Sequence, residues 1–226
     1  MTSLVKVLGE IQSLYTSTQG TARNQVWYIL AAVVMSTLNR AQDIPTVYKT
    51  ATQSIQQEEE KVQVMMRLRE GIFKTFAIVG YPRVINSLQA LQADAPKEIL
   101  AQLPTQPIRS ESTWHDITQQ RERGNQLFDA IYERHSERVR EHMYHAYPDL
   151  GQTAIHHLYG PILSEASIIS AKETSLIMVA GLMVQDVPAQ LKGHRYGALN
   201  LGNQQEDLKR VENLVDLLSR YYSITQ

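Results

Sequence analysis

The chain has 226 residues, enough for one compact domain with a sizeable core, and a formal net charge of -1 gives no electrostatic reason to expect nucleic acid or an anionic membrane as partner. It contains no cysteine, which excludes disulfides, thiolate metal sites and thiol-based peroxidase or reductase mechanisms. The longest apolar run, Val26 to Met35, falls well short of the roughly 20 residues that cross a bilayer, and the chain does not open on a basic flank followed by an apolar signal core. A soluble intracellular protein is expected, in the cytoplasm, with a mitochondrial or peroxisomal destination left open.

In chain order, Leu4, Val7, Leu8, Ile11, Leu14 and Tyr15 fall at helical spacing and predict a short amphipathic helix. The next helix, from about Ala22 to Asn39, is apolar nearly all round, which predicts burial on several sides or cover by another subunit, and hence a homo-oligomer. A third helix should run from Pro45 to about Ile55, followed by Gln56 to Glu60 as a solvated helix start whose carboxylates suit the positive end of the helix dipole. Val62, Met65, Met66, Leu68, Ile72, Phe73, Phe76 and Val79 stripe a fourth helix that stops at Gly80, and Pro82 starts a fifth. Residues 93–113, with Pro96, Pro104 and Pro107, read as the connection between two halves, about 1–92 and 114–226, of a single domain. A polar helix from Trp114 to about Tyr147 follows, with Arg134, Glu137, Arg138, Arg140 and Glu141 on its expected solvent face. Ser170-Ala-Lys-Glu173 fits a capping box ahead of the apolar run Leu176 to Val184, then come helices from Pro188 to Leu201 and from about Glu206 to Tyr222. No stretch alternates as a strand does, so the chain is expected to be all-α.

Two segments share a skeleton. Asp43-Ile-Pro-Thr-Val-Tyr-Lys-Thr-Ala51 and Asp186-Val-Pro-Ala-Gln-Leu-Lys-Gly-His194 both follow an apolar helical run and both place proline where a new helix begins. They read as an internal repeat of two helix breaks. The loud difference is His194 in the place of Ala51.

On the helix opened by Pro188, Gln190, His194 and Ala198 share a face, and Gly193 and Gly197 allow close approach by a helix or ligand. That pattern fits an imidazole lining a narrow pocket between helices, although a lone histidine also serves as a satisfied core residue. All seven histidines lie from His115 onward. Neither His142 with His145 nor His156 with His157 has the spacing that puts two ligands on one helical face, so no metal site is expected. Glu173 has a structural explanation in its capping box and a second reading as a pocket carboxylate.

The run Gln190-Leu-Lys-Gly-His-Arg-Tyr-Gly-Ala-Leu-Asn-Leu-Gly202, with Glu206-Asp-Leu after it, resembles the signature of the carboxymuconolactone decarboxylase-like family, of the alkylhydroperoxidase D superfamily. Leu176 to Val184 resembles the helix ahead of that signature, and Phe76 to Leu88 resembles a further family segment. The resemblance implies an alkylhydroperoxidase D-like helical bundle built from a duplicated unit and assembled as an oligomer. It also implies that a catalytic member would act on a small lactone or carboxylic acid without metal or organic cofactor. The cysteine pair of the peroxidase branch falls near Val187 and Gln190, so that mechanism is absent here. That branch's histidine falls on His194, and its glutamate near Ser175, two residues from Glu173.

Two functions follow as expectations. The first is a cofactor-free lyase or isomerase in which His194 stabilises the developing negative charge or returns the proton, Gln190 orients the substrate, Glu173 is the acid partner, and Arg195, Arg83 and Tyr159 hold the substrate. The second is a non-catalytic oligomeric binding protein of the same fold. A second titratable group beside His194 in a polar pocket would favour the enzyme, and apolar packing of the imidazole would favour the binder.

Overall fold

A computed structural model describes residues 3–15 and 25–224, and among them every regular element is helical. In the first half, α1 is Leu4–Ser13, α2 Trp27–Thr37, α3 Ile44–Thr52, α4 Glu58–Lys74, α5 Phe76–Val79, α6 Tyr81–Ala93 and α7 Lys97–Leu100. In the second, α8 is Trp114–Tyr132, α9 Ser136–Ala146, α10 Pro148–Thr153, α11 Ala171–Val184, α12 Pro188–Asn200 and α13 Gln205–Ile224, with a π-helix over Ala154–Leu163. The expected start of α2 at Ala22 lies outside the described residues, as does the end of the chain after Ile224.

The core is organised on α2. All eleven of its residues are buried, because α1, α3, α4, α6, α11 and α13 pack around it. An apolar helix without a polar face is thus accommodated by one chain, and α2 gives no reason to invoke a second subunit. Alongside it, α11 buries Thr174 to Leu182 and starts from the expected capping box: Ser170 Oγ accepts from Glu173 N, and Glu173 Oε2 accepts from Ser170 N. Burial of Gly71 allows α4 to reach α2, since a Cβ there would overlap Ile29.

Two helices are shorter than the sequence suggests, and a third segment is wound more widely. The fourth stripe divides at Thr75 into α4 and α5, and Gly80 then takes φ 79° with ψ 165°, a backbone conformation reserved for glycine, ahead of Pro82 in α6. The helix expected from Trp114 to Tyr147 breaks at Glu133, whose φ is 45°, into α8, a 3-10 turn over Glu133–His135, and α9. Between α10 and α11, Pro161 lies inside a wide π-turn, where its missing N–H and ring disfavour the α-helical ladder. The π-helix lies so close to α8 that a Cβ on Gly124 would sit 2.5 Å from Gly160 N.

Both Asp-aliphatic-Pro segments fall at breaks between helices, by different turns. After α2 the left-handed residue is Asn39 (φ 58°), followed by a 3-10 turn over Ala41–Asp43 before Pro45. After α11 it is Asp186 itself (φ 53°), two residues before Pro188.

Candidate functional site

His194 projects from the middle of α12 toward α8 and α11. Its imidazole is half-buried, stands edge-on to the Tyr132 ring at 6.5 Å between centroids, and makes no hydrogen bond among the described residues. Close packing here depends on Gly197, whose missing Cβ would sit 2.5 Å from Ile131 Cγ2. The cavity beside the imidazole is lined by Leu127, Ile131, Leu163, Met178, Thr174 and Ser175 among others, and holds about 10 Å³, room for about one water molecule. No lining group other than His194 titrates. Burial lowers the His194 pKa to about 4, so at neutral pH the imidazole is neutral and lacks the proton a general acid would donate.

Tyr159 is brought toward the same place through Tyr132. The two hydroxyls are 3.2 Å apart, and Phe128 packs against both rings at 4.5 and 4.9 Å. Burial raises both phenol pKa values, Tyr159 strongly, so neither offers a phenolate near neutrality. His194, Tyr132 and Tyr159 form a row of neutral polar groups set in apolar walls.

The other expected site residues are engaged elsewhere. Glu173 Oε1 pairs with Arg67 Nη2 at 2.5 Å while Oε2 completes the capping box, and Arg67 Nε donates to Tyr28 Oη at 2.8 Å. Its carboxylate thereby ties α11 to α4 and α2. Gln190 is exposed on the first turns of α12, Arg195 pairs with Glu212 of α13, and Arg83 donates to Thr37 O at the end of α2. Arg83 therefore closes a helix C-terminus, a role suited to its charge.

Two features escape the sequence reading. The first is a buried ionic network: Lys74 is fully buried, its Nζ donates to Leu163 O (3.2 Å), Glu165 O (2.5 Å) and Thr174 Oγ1 (2.8 Å), and burial lowers its pKa to about 8. Beside it Arg109 holds Glu70 through both carboxylate oxygens and donates to Pro161 O and Ile162 O. The two cations satisfy carbonyls at the end of the π-helix, which explains their burial without chemistry. Lys74 stands next to Phe73 in an apolar stripe, the one hint of its burial available in sequence.

The second is a groove of about 710 Å³ between α12 and the α8–α9 break. One wall carries Tyr132, Glu133, Arg134, His135 and Arg138, and the other Lys192, Gly193, Tyr196 and Asn200. Asn200 Nδ2 donates to Ile131 O at 2.8 Å and fastens the two walls together. Arg134, Arg138 and Lys192 have no carboxylate within ion-pair distance among the described residues, so three cations face one anion, Glu133. The positive φ of Glu133 at the lip stores about 1–3 kcal/mol of strain, a cost that clusters at functional positions. Tyr132 belongs to both places: it lines the groove and abuts His194.

Fold and site together define an all-α bundle whose polar surface groove lies beside a small, neutral histidine pocket, with no group of metal-binding side chains among the described residues. The chain belongs to the family of the fungal Peroxisomal protein 2. It is 30% identical to the protein of that name from Saccharomyces cerevisiae, over 88% of this chain and 89% of the relative. It is 32% identical to the one from Schizosaccharomyces pombe, over 85% of each. No family model matches the sequence, and no solved structure matches it.

Proposed function

We propose that this protein is a peroxisomal binding protein for a small organic anion, held in the groove between α12 and the α8–α9 break, and that His194 does not carry catalysis. The observation behind this reading is the charge of the groove: Arg134, Arg138 and Lys192 are uncompensated except by Glu133, in a space of the size that takes a small molecule. A carboxylate or lactone acid of the kind that the carboxymuconolactone decarboxylase resemblance implies fits those charges. The lyase reading asks more of the site. Decarboxylation needs a donor for the developing negative charge and an acid that returns a proton, whereas His194 is held neutral and Glu173 is bound to Arg67. The peroxisomal assignment rests on the two relatives, both called peroxisomal proteins.

Thermal unfolding with a panel of mono-, di- and tricarboxylates and lactone acids tests the binding reading. A ligand at a hundred times its Kd stabilises the folded state by about 2.7 kcal/mol. Multivalent carboxylates also stabilise proteins generally by exclusion from their surface, so the decisive comparison is with Arg138→Gln/Lys192→Gln. Stabilisation of wild type that the double variant loses supports the groove; equal stabilisation of both removes it. Turnover of a lactone acid that His194→Ala abolishes would restore the lyase. A fluorescent fusion of the full chain that stays outside peroxisomes would overturn the compartment.

A further inference from the structure

A second cleft lies in the other half of the molecule, where the connection between α6 and α8 crosses back over α4. The strap is pinned at both ends. Arg109 grips Glu70 at 2.5 and 3.2 Å, donates to Pro161 O and stands 4.8 Å over the Phe73 ring, while Gln102 bonds Glu58 at the start of α4. Underneath are two open cavities of about 280 and 330 Å³ that share Arg69, Leu88 and Pro104. The first is walled by Met66, Phe73, Pro107, Ile108 and Ile168, the second by Met65, Leu91, Leu100 and Leu103. The first is mainly apolar and the second, which Gln92 and Thr105 also line, is mixed, and one exposed charged side chain is common to both.

That side chain is Arg69. The neighbouring carboxylate, Glu70, is saturated by Arg109, and Arg69 has no ion pair among the described residues. A mainly apolar cavity with an exposed, unpaired guanidinium at its waist with the second cavity suits a molecule of matching pattern: one anionic head and an extended hydrocarbon body. We propose that this cleft binds a long-chain monocarboxylate, its head on Arg69 and its chain under the strap. The ligand differs from that of the α12 groove, where three cations favour a compact multivalent anion.

The rival account is that Arg69 only drapes its aliphatic stem over apolar surface, as long cationic side chains do. Calorimetric titration of the full chain with dodecanoate and with dodecanol, each below its aggregation limit, separates the two. Wild type should bind dodecanoate more tightly than dodecanol. Arg69→Gln should weaken dodecanoate about tenfold, the loss of one charge-assisted hydrogen bond, and leave dodecanol unchanged. Filling the shared waist with Leu88→Trp should abolish binding of both; if that variant melts early, Leu103→Trp fills the second cavity instead. Arg138→Gln/Lys192→Gln should bind dodecanoate as wild type does. Absence of dodecanoate binding, equal affinity for acid and alcohol, or an Arg69→Gln titration identical to wild type would each overturn the proposal.

Discussion

The helices α3 and α12 begin alike, on an Asp-aliphatic-Pro segment after a buried helix, and end in opposite circumstances. On α3, Ile44, Val47, Tyr48, Ala51 and Thr52 are buried, so the helix is keyed into the core. On α12 only Gly197 and Ala198 are buried, and the rest of the helix stands at the surface between two cavities. The position that differs most in chemistry follows the same division: Ala51, 4% exposed, is a packing residue, and His194 is a half-buried ring in a small cavity beside Tyr132. A shared local sequence therefore fixes where a helix starts, while its neighbours decide whether it becomes scaffold or site. Here α1, α4 and α6 cover α3, whereas α12 is backed by α8 and α11 and left open on the side of the α8–α9 break.

Exchanging the two residues gives the largest effect. Ala51→His forces an imidazole into a filled core and should cost about 2–4 kcal/mol in urea unfolding, while His194→Ala should cost no more than about 1.5 kcal/mol. Equal costs would erase the distinction between scaffold and site. A smaller contrast separates Gly71→Ala from Gly197→Ala. The new methyl meets Ile29 in the rigid centre in one case and Ile131 at the edge of the groove in the other, so the first should lose about 3 kcal/mol and the second about 1 kcal/mol.

A pH titration sharpens the same comparison. The folded chain holds His194 near pKa 4 against 6.5 for an ordinary imidazole, so as pH falls the unfolded chain takes up this proton first. The contribution to stability is complete above about pH 6.5 and is lost on the way down to about pH 4, with a slope of at most about 1.4 kcal/mol per pH unit. His194→Ala should flatten that part of the stability profile; an unchanged profile would mean that the ring is solvated. The smallest effect is reserved for Arg195→Gln, which removes a partly exposed ion pair with Glu212. It should shift stability by under about 1 kcal/mol and leave anion binding in the groove intact.

What the sequence revealed and what it hid divide along physical lines. Periodicity and punctuation carried the fold: the apolar stripes gave the helices, Gly80 and Pro82 the turn into α6, and Ser170 with Glu173 the cap of α11. The break at Glu133 was invisible because no glycine or proline marks it, and the positive φ falls on a residue that ordinarily avoids it. Without that break Arg134 and Arg138 read as members of an alternating solvent face, and the groove they line could not be anticipated. The site had a second obstacle. Spacing along one helix grouped Gln190 with His194, but it cannot report that Glu173 turns to Arg67 on α4, or that Tyr132 arrives from α8. Such partners are distant in sequence and leave no local trace.

The enclosure of α2 also bears on how the chain comes to be folded. Its cover is completed by α13, the most C-terminal of the described helices, and Tyr222 Oη donates to Asp43 Oδ2 at 2.9 Å across 179 residues. The contacts of α13 with α1, α2 and α11 therefore close only once residues 205–224 have been made, and non-local contacts of this kind slow folding. Until then eleven consecutive core residues, Trp27 to Thr37, lack part of their wall. A nascent or truncated chain ending before Gln205 presents that surface to solvent, and it should depend on chaperones and aggregate where the chain that includes α13 does not.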